Sequence, residues 1–220
     1  MGGVNSGHVA AVQRRDAFSG SGMNTARYVL ALVCVLTYPL AVGSLLLAHP
    51  FISFWRRAGR SVFFAALAVL SVAAVGATYA IREPLLAVHY GTKEVLWPVA
   101  LFLWGLSLYV EVQCRKHRKL KTALGVPELD PDGQGGELVT EGIYGRMRHP
   151  RYVAVWLGTA GVALFTNYLA VYVIAVAMIP ALYLVVVFEE RALMDRFGLE
   201  YGLYTQKVPR FIPRARGQGA

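Results

Sequence analysis

The chain has 220 residues, of which 56% are hydrophobic and only 16% charged, and its mean hydropathy is +0.46. A soluble domain carries its apolar residues in short periodic runs; here they come in long blocks nearly free of charge, which excludes an ordinary water-soluble domain and indicates an integral membrane protein. The net charge of +9 does not indicate nucleic acid, because Lys and Arg sit almost wholly between the apolar blocks, where loops meet a cytoplasm and anionic headgroups.

Residues 1–27 are rich in Gly, Ser and Asn and read as a flexible tail. Met1-Gly2 with Ser6 loosely fits a myristoylation pattern, although an acyl chain would be redundant on a spanning protein. The first apolar block, about 28–49, is too long for a signal-peptide core and is expected to be a retained helix, kinked at Pro39. A second span is expected at about 61–81, its Ala, Val and Gly suiting close helix packing. The third, about 94–112, has Trp97 as an interfacial anchor. Next comes a basic loop, 113–151, opening with Arg115-Lys-His-Arg-Lys119 as a headgroup anchor and turning through the Pro/Gly/Asp stretch at 127–136. The fourth span, about 152–166, displays Gly158 and Gly161 as a small-residue surface for a close neighbour, and the fifth, about 168–188, contains Pro180.

The last two segments hold about 37 residues joined only through Thr166-Asn167, whereas two full spans need about 40, so they must form a tight hairpin. Both feet of that hairpin then return to one side. The loop at 113–151 holds eight Lys or Arg and the tail from 189 holds six, against two at 82–93 and none in the hairpin turn. Positive-inside logic places the feet in the cytoplasm and, with five spans, the N-terminus outside, against the mild contrary pull of Arg14, Arg15 and Arg27. Domain organisation therefore reads as a tail (1–27), three spans (28–112), a basic cytosolic loop (113–151), and a hairpin with a C-terminal polar segment (152–220).

The feet carry the candidate chemistry. At one, Arg148-His149-Pro150 precedes the fourth segment; Pro150 suits a first helical turn, and the helix N-terminus beside it favours anions. Tyr144 and Tyr152 flank this string like walls of a polar pocket. At the other foot stands the acidic pair Glu189-Glu190, where anionic lipid would favour Lys or Arg; membrane-edge acids turned inward are usually functional or paired, and Arg148 and His149 are available partners. Beyond Arg191, residues Leu193, Phe197, Tyr201, Tyr204 and Val208 recur at helical spacing and predict an amphipathic cap over the cytoplasmic mouth. Cys34 and Cys114 form no pair motif, and the five histidines lack ligand spacing, so neither a disulfide framework nor a metal is expected. The spans carry almost no ionisable residues, which disfavours a channel or pump.

Taken together, Thr140-Glu-Gly142-Ile-Tyr144, Arg148-His149-Pro150-Arg-Tyr152, Glu189-Glu190-Arg-Ala-Leu193, Phe197-Gly198, Tyr201, Tyr204 and Val208-Pro209-Arg210 resemble the isoprenylcysteine carboxyl methyltransferase family, within a wider group that includes phospholipid N-methyltransferases. The likeness covers roughly residues 138–213. It implies an all-α, multi-pass membrane enzyme of about five transmembrane helices with a C-terminal hairpin and a cytosolic amphipathic helix. It also implies S-adenosylmethionine as cofactor, bound on the cytosolic side, and a lipophilic or lipidated substrate entering from the membrane lipids. By the same resemblance Tyr144, Arg148, His149, Pro150, Tyr152, Glu189, Glu190, Tyr201 and Tyr204 line the cofactor pocket, with Arg148 and Glu190 the candidate catalytic residues. A Glu of the pair would bind the cofactor's amino or ribose groups and Arg148 a cofactor or substrate carboxylate; His149 would act as general base only toward an amine. The leading expectation is carboxyl O-methylation of an isoprenylcysteine-like acceptor. Phospholipid N-methylation, a sterol-reductase-like nicotinamide enzyme and a non-catalytic membrane protein are the alternatives. Neither the methyl acceptor nor the oligomeric state is legible.

Overall fold

The computed structural model describes residues 6–48, 50–117 and 137–213, with side chains from residue 22 onward except 52, 56 and 117. The acylation pattern at Gly2, the last two residues of the basic cluster and the Pro/Gly/Asp turn of the long loop lie outside the described residues. The elements are α1 (Ser6–Ala48), α2 (Ile52–Ala58), α3 (Arg60–Ala80), α4 (Arg82–Leu85), α5 (Trp97–His117), α6 (Pro150–Thr166), α7 (Leu169–Phe197) and α8 (Leu199–Lys207), with short 3-10 turns at Glu94–Leu96 and Gly142–Gly145. The fold is all-helical. The stretch expected as a tail is helical from Ser6 on, as part of α1.

Among the described residues, four helical stretches are long and apolar enough to cross a membrane: Gly22–Ala48, Arg60–Ala80, Glu94–Lys116 and Leu169–Phe197. The remaining expected span, α6, has 17 residues, about 26 Å of rise against about 30 Å of hydrocarbon. Four of the five expected spans are thus supported, and the count of five is not confirmed. Local chemistry sets α6's limits: Pro150 occupies its first turn, and Asn167 ends it in the left-handed region at φ 57°. Conversely, α7 runs unbroken through Pro180 and past the acidic pair to Phe197, longer than the expected 168–188.

Lipid tails are as apolar as leucine, so shape and hydrogen bonding rather than dehydration hold these helices together. The small-residue face of α6 meets α5 as expected. A Cβ on Gly161 would lie 2.7 Å from the indole of Trp104, while Trp104 Nε1 donates to the Gly158 carbonyl at 3.2 Å and Ser107 Oγ to that of Ala154 at 2.8 Å. Helix α1 lies against α6 and α7 through Ala31, Cys34 and Val35 on Val162, Val171 and Ala175, and further along through Val42 on Met178, Leu182 and Val185. By contrast α3 buries little beyond Phe63 and presents Val69 and Val72 outward.

The hairpin turn is clamped. Arg27, only 2% exposed, donates from Nε and Nη2 to the Thr166 carbonyl at 3.0 and 2.7 Å, and from Nη2 to Gly91 at 2.6 Å. Its Nη1 donates to Thr92 Oγ1 at 2.7 Å and Asn24 Oδ1 at 3.1 Å. All five N–H groups of this guanidinium are thus satisfied by neutral oxygens. Asn167 completes the turn by donating to Gly91 and accepting from the Tyr172 hydroxyl.

Candidate functional site

The opposite end of the hairpin gathers the two polar strings. Pro150 starts α6, so Arg148 and His149 sit on the segment entering it; that segment lies alongside the chain's return after α8. Arg148 N–H donates to the Pro209 carbonyl at 2.9 Å and His149 N–H to that of Arg210 at 3.0 Å. The return is made possible at Gly198, where φ 51° and ψ −122° let the chain break between α7 and α8 in a conformation costly for any residue with a Cβ.

Glu190 is the hub of this end. Its Oε1 accepts from Arg148 Nε and Nη2 at 3.1 and 2.8 Å and lies 3.2 Å from His149 Nε2; its Oε2 accepts from Arg210 Nε and Nη2 at 3.0 and 2.7 Å. Arg148 also donates from Nη1 to the carbonyls of Thr205 and Val208, both at 2.8 Å. Four of its five N–H groups are thereby engaged in tying α7 to the end of α8. Side chains here are 9% exposed at Arg148 and 12% at Glu190, so the pair is desolvated and removing one partner strands the other.

Glu189, one residue earlier, points elsewhere, as the 100° step of a helix requires. Its Oε2 lies 3.5 Å from His149 Nδ1, so the imidazole is held between two carboxylates. Burial alone would lower the His149 pKa, but hydrogen bonds to Glu189 and Glu190 outweigh it and raise the value above 6.5. Both ring nitrogens face acceptors, the arrangement an imidazolium satisfies and a neutral ring half-satisfies. Tyr152 stacks on the imidazole at 5.9 Å and Phe211 leans on it at 6.2 Å.

Beside this network lies a cavity of about 100 Å³ lined by Glu137, Leu138, Val139, Tyr144, Arg148, His149, Glu189, Leu193, Arg196, Phe197, Tyr201 and Tyr204. Of the nine residues expected at the site, six line it: Tyr144, Arg148, His149, Glu189, Tyr201 and Tyr204. Glu190, Pro150 and Tyr152 stand behind that wall, as ionic hub, helix start and ring support. The Tyr204 hydroxyl donates to the Tyr144 carbonyl at 2.6 Å, closing α8 onto the 3-10 turn, and burial pushes its pKa up to about 12. Tyr201 is 1% exposed, yet its hydroxyl has no hydrogen-bond partner among the described residues. A buried donor left this way is a place for a ligand atom.

Sequence reasoning overlooked Arg196, and it quoted Arg210 within Val208-Pro209-Arg210 without giving it a role in the site. Arg196 follows Glu189 by seven residues, two helical turns, so the face carrying Glu189, Leu193 and Arg196 was recoverable from spacing. Arg210 had no such signal, because its contact with Glu190 depends on the chain folding back. Glu137 to Val139 form a wall for the same long-range reason.

The donor set fits S-adenosylmethionine. A carboxylate (Glu189) suits its ammonium, Arg196 its carboxylate, and Tyr144, Phe197, Tyr201 and Tyr204 offer aromatic faces for the adenine and the sulfonium. Among the described residues no group of three His, Cys, Asp or Glu side chains is placed to hold a metal ion.

The chain is also 33% identical over 78 residues to the nickel-cobalt-cadmium resistance protein NccN of Alcaligenes xylosoxydans xylosoxydans. That alignment takes in 36% of this chain and spans 37% of that relative's length. The model of the phospholipid methyltransferase family matches residues 96–200, from the 3-10 turn before α5 through the acidic pair to the start of α8, and that family falls in the same broad group of membrane methyltransferases to which the isoprenylcysteine-type resemblance points.

Proposed function

We propose that this protein is an S-adenosylmethionine-dependent membrane methyltransferase that O-methylates the carboxylate of a lipidated, isoprenylcysteine-like acceptor, with its site facing the cytoplasm. The observation that carries the acceptor class is the state of His149. Clamped between Glu189 and Glu190, it has both ring nitrogens turned to carboxylate oxygens and offers neither to an incoming amine. A carboxylate acceptor needs none, since it is already the nucleophile, whereas an ammonium headgroup must first lose a proton. S-adenosylmethionine, when bound, supplies an electrophilic methyl on a sulfonium. The chain then contributes alignment and a dry pocket, in which union of an anion with a cation is favoured because charge is lost. Glu189 and Arg196 hold the two ends of the amino-acid moiety, and Tyr201 donates its free hydroxyl. Arg148 and Glu190 position these groups by locking α7, α8 and the Arg148–His149 segment into one wall. The basic loop and tail beside the site support the cytoplasmic placement.

A second reading, N-methylation of a phospholipid amine, is favoured by the matched family's description. Labelled-methyl transfer from S-adenosylmethionine into membrane extracts, with mass spectrometry of the product, tests both. Label in a base-labile ester of a lipidated acid is expected. Label in an amine headgroup would replace the first reading by the second. Binding of a reduced nicotinamide without binding of S-adenosylmethionine would overturn both.

A further inference from the structure

Arg210 is more than a partner for Glu190. Its guanidinium is gripped on its inner edge, Nε and Nη2 on Glu190 Oε2, and Nη1 donates to the Tyr183 hydroxyl at 3.1 Å. The group also lies 5.5 Å from the Tyr183 ring centre. Three of five N–H groups are thus used, and two, one on each terminal nitrogen, have no partner among the described residues. The side chain is 37% exposed, against 9% for Arg148 on the other oxygen of the same carboxylate. Its surroundings are amphipathic. Tyr183 is 47% exposed on α7 two turns before Glu190, on the stretch apolar enough to span a membrane, and Ile212, 81% exposed, follows Arg210.

We propose that the outer edge of Arg210, seated on Tyr183 where the apolar face of α7 meets the charged end, binds the anionic oxygens of a membrane-resident amphiphile: a carboxylate or a phosphate carried on a hydrocarbon chain. A planar guanidinium with one edge fixed by a carboxylate presents its other edge as a preoriented fork for such a group. The apolar surface of α7 and Ile212 receives the chain. The site lies on the lipid side of the wall whose inner face lines the cavity, and it would deliver an acidic acceptor to that cavity. It rests on the methyltransferase reading only for this last purpose; the binding itself requires no methyl donor.

The test is equilibrium binding to the full-length protein in phosphatidylcholine nanodiscs without S-adenosylmethionine, using a fluorescent fatty acid, the matching fatty alcohol, a fluorescent phosphatidic acid, and inorganic phosphate as competitor. Wild type is expected to bind the fatty acid and phosphatidic acid at least about tenfold more tightly than the alcohol, with millimolar inorganic phosphate competing poorly. Arg210→Gln should erase the preference and Arg210→Lys retain part of it, lacking the fork. Equal binding of acid and alcohol by wild type overturns the proposal with no variant needed. So does an acid preference undiminished in Arg210→Gln, which would place it on the basic loop. Effective competition by inorganic phosphate would show an anion site that does not select membrane-borne ligands, and would overturn it too. Because no arm contains a methyl donor, acid binding with no methyl transfer would refute the enzyme reading while leaving this one standing.

Discussion

The two ends of the α6–α7 hairpin each bury an arginine, and they use it oppositely. At the turn, Arg27 satisfies all five N–H groups on neutral oxygens of Thr166, Gly91, Thr92 and Asn24. Its bonds join α1, the 86–92 loop and the turn. At the feet, Arg148 shares a carboxylate with Arg210 and His149, next to a lined cavity holding a second carboxylate and the buried Tyr201 hydroxyl, which has no partner among the described residues. The first arrangement is complete and has nothing left to bind with. The second is complete only behind the wall, and its inner face keeps the Tyr201 hydroxyl unmatched among the described residues. Burial of an arginine in a membrane protein is therefore no sign of a site by itself; what remains unsatisfied around it is.

That contrast can be broken by mutation. The largest effect is expected for Glu190→Ala, which strands Arg148 and His149 in a desolvated place and releases Arg210. Stability in detergent should fall by about 3–5 kcal/mol, read as a large drop in melting temperature, with loss of cofactor binding. Arg27→Leu orphans the Thr166 carbonyl, while Gly91 keeps its bond from Asn167, and should cost about 1–3 kcal/mol in the same melt, yet leave S-adenosylmethionine affinity within about twofold. If Arg27→Leu weakens cofactor binding as strongly as it weakens the fold, the two ends are not separable. Glu189→Gln is the converse case: cofactor affinity about tenfold or more lower in calorimetry, with the melt little changed.

Much of this division was legible in the sequence, and its limits are physical. The feet of the hairpin were placed together because about 37 apolar residues leave the chain no other route, and the 2.8 Å contact between Arg148 and Glu190 realises that. The tyrosine helix was visible as a period, which is local information. The bounds of α6 were legible too, expected at about 152–166 and found at Pro150–Thr166, because a proline start and an asparagine stop are local signals. Spacing could not tell which acid faces the cavity. Glu190 is claimed by Arg148 from one strand of chain and Arg210 from another, and only the fold-back after Gly198 brings those together. Arg27 counted against the expected topology as a positive charge on the outer side; buried against the turn, it is a structural bond rather than an interfacial charge.

Smaller effects sharpen the picture. His149 has a folded pKa above 6.5, so the stability it contributes is full below that pH and fades as pH rises through the folded value. The melting temperature should therefore decline as pH rises above about 6.5, and His149→Gln should flatten the decline. An unchanged slope in that variant would mean other groups titrate. Tyr201→Phe should leave the fold unchanged or up to about 1 kcal/mol more stable, since it removes a buried hydroxyl that has no partner, while weakening cofactor binding a few-fold.

The central claim is that the inner face at the feet holds the methyl donor. Equilibrium binding of labelled S-adenosylmethionine to the purified full-length protein, run in parallel on wild type, Glu189→Gln and Arg27→Leu, tests it most directly. The account predicts saturable binding displaced by S-adenosylhomocysteine, lost in Glu189→Gln and preserved in Arg27→Leu. Absence of binding by a folded wild-type protein, or binding that survives in Glu189→Gln and disappears in Arg27→Leu, would contradict it.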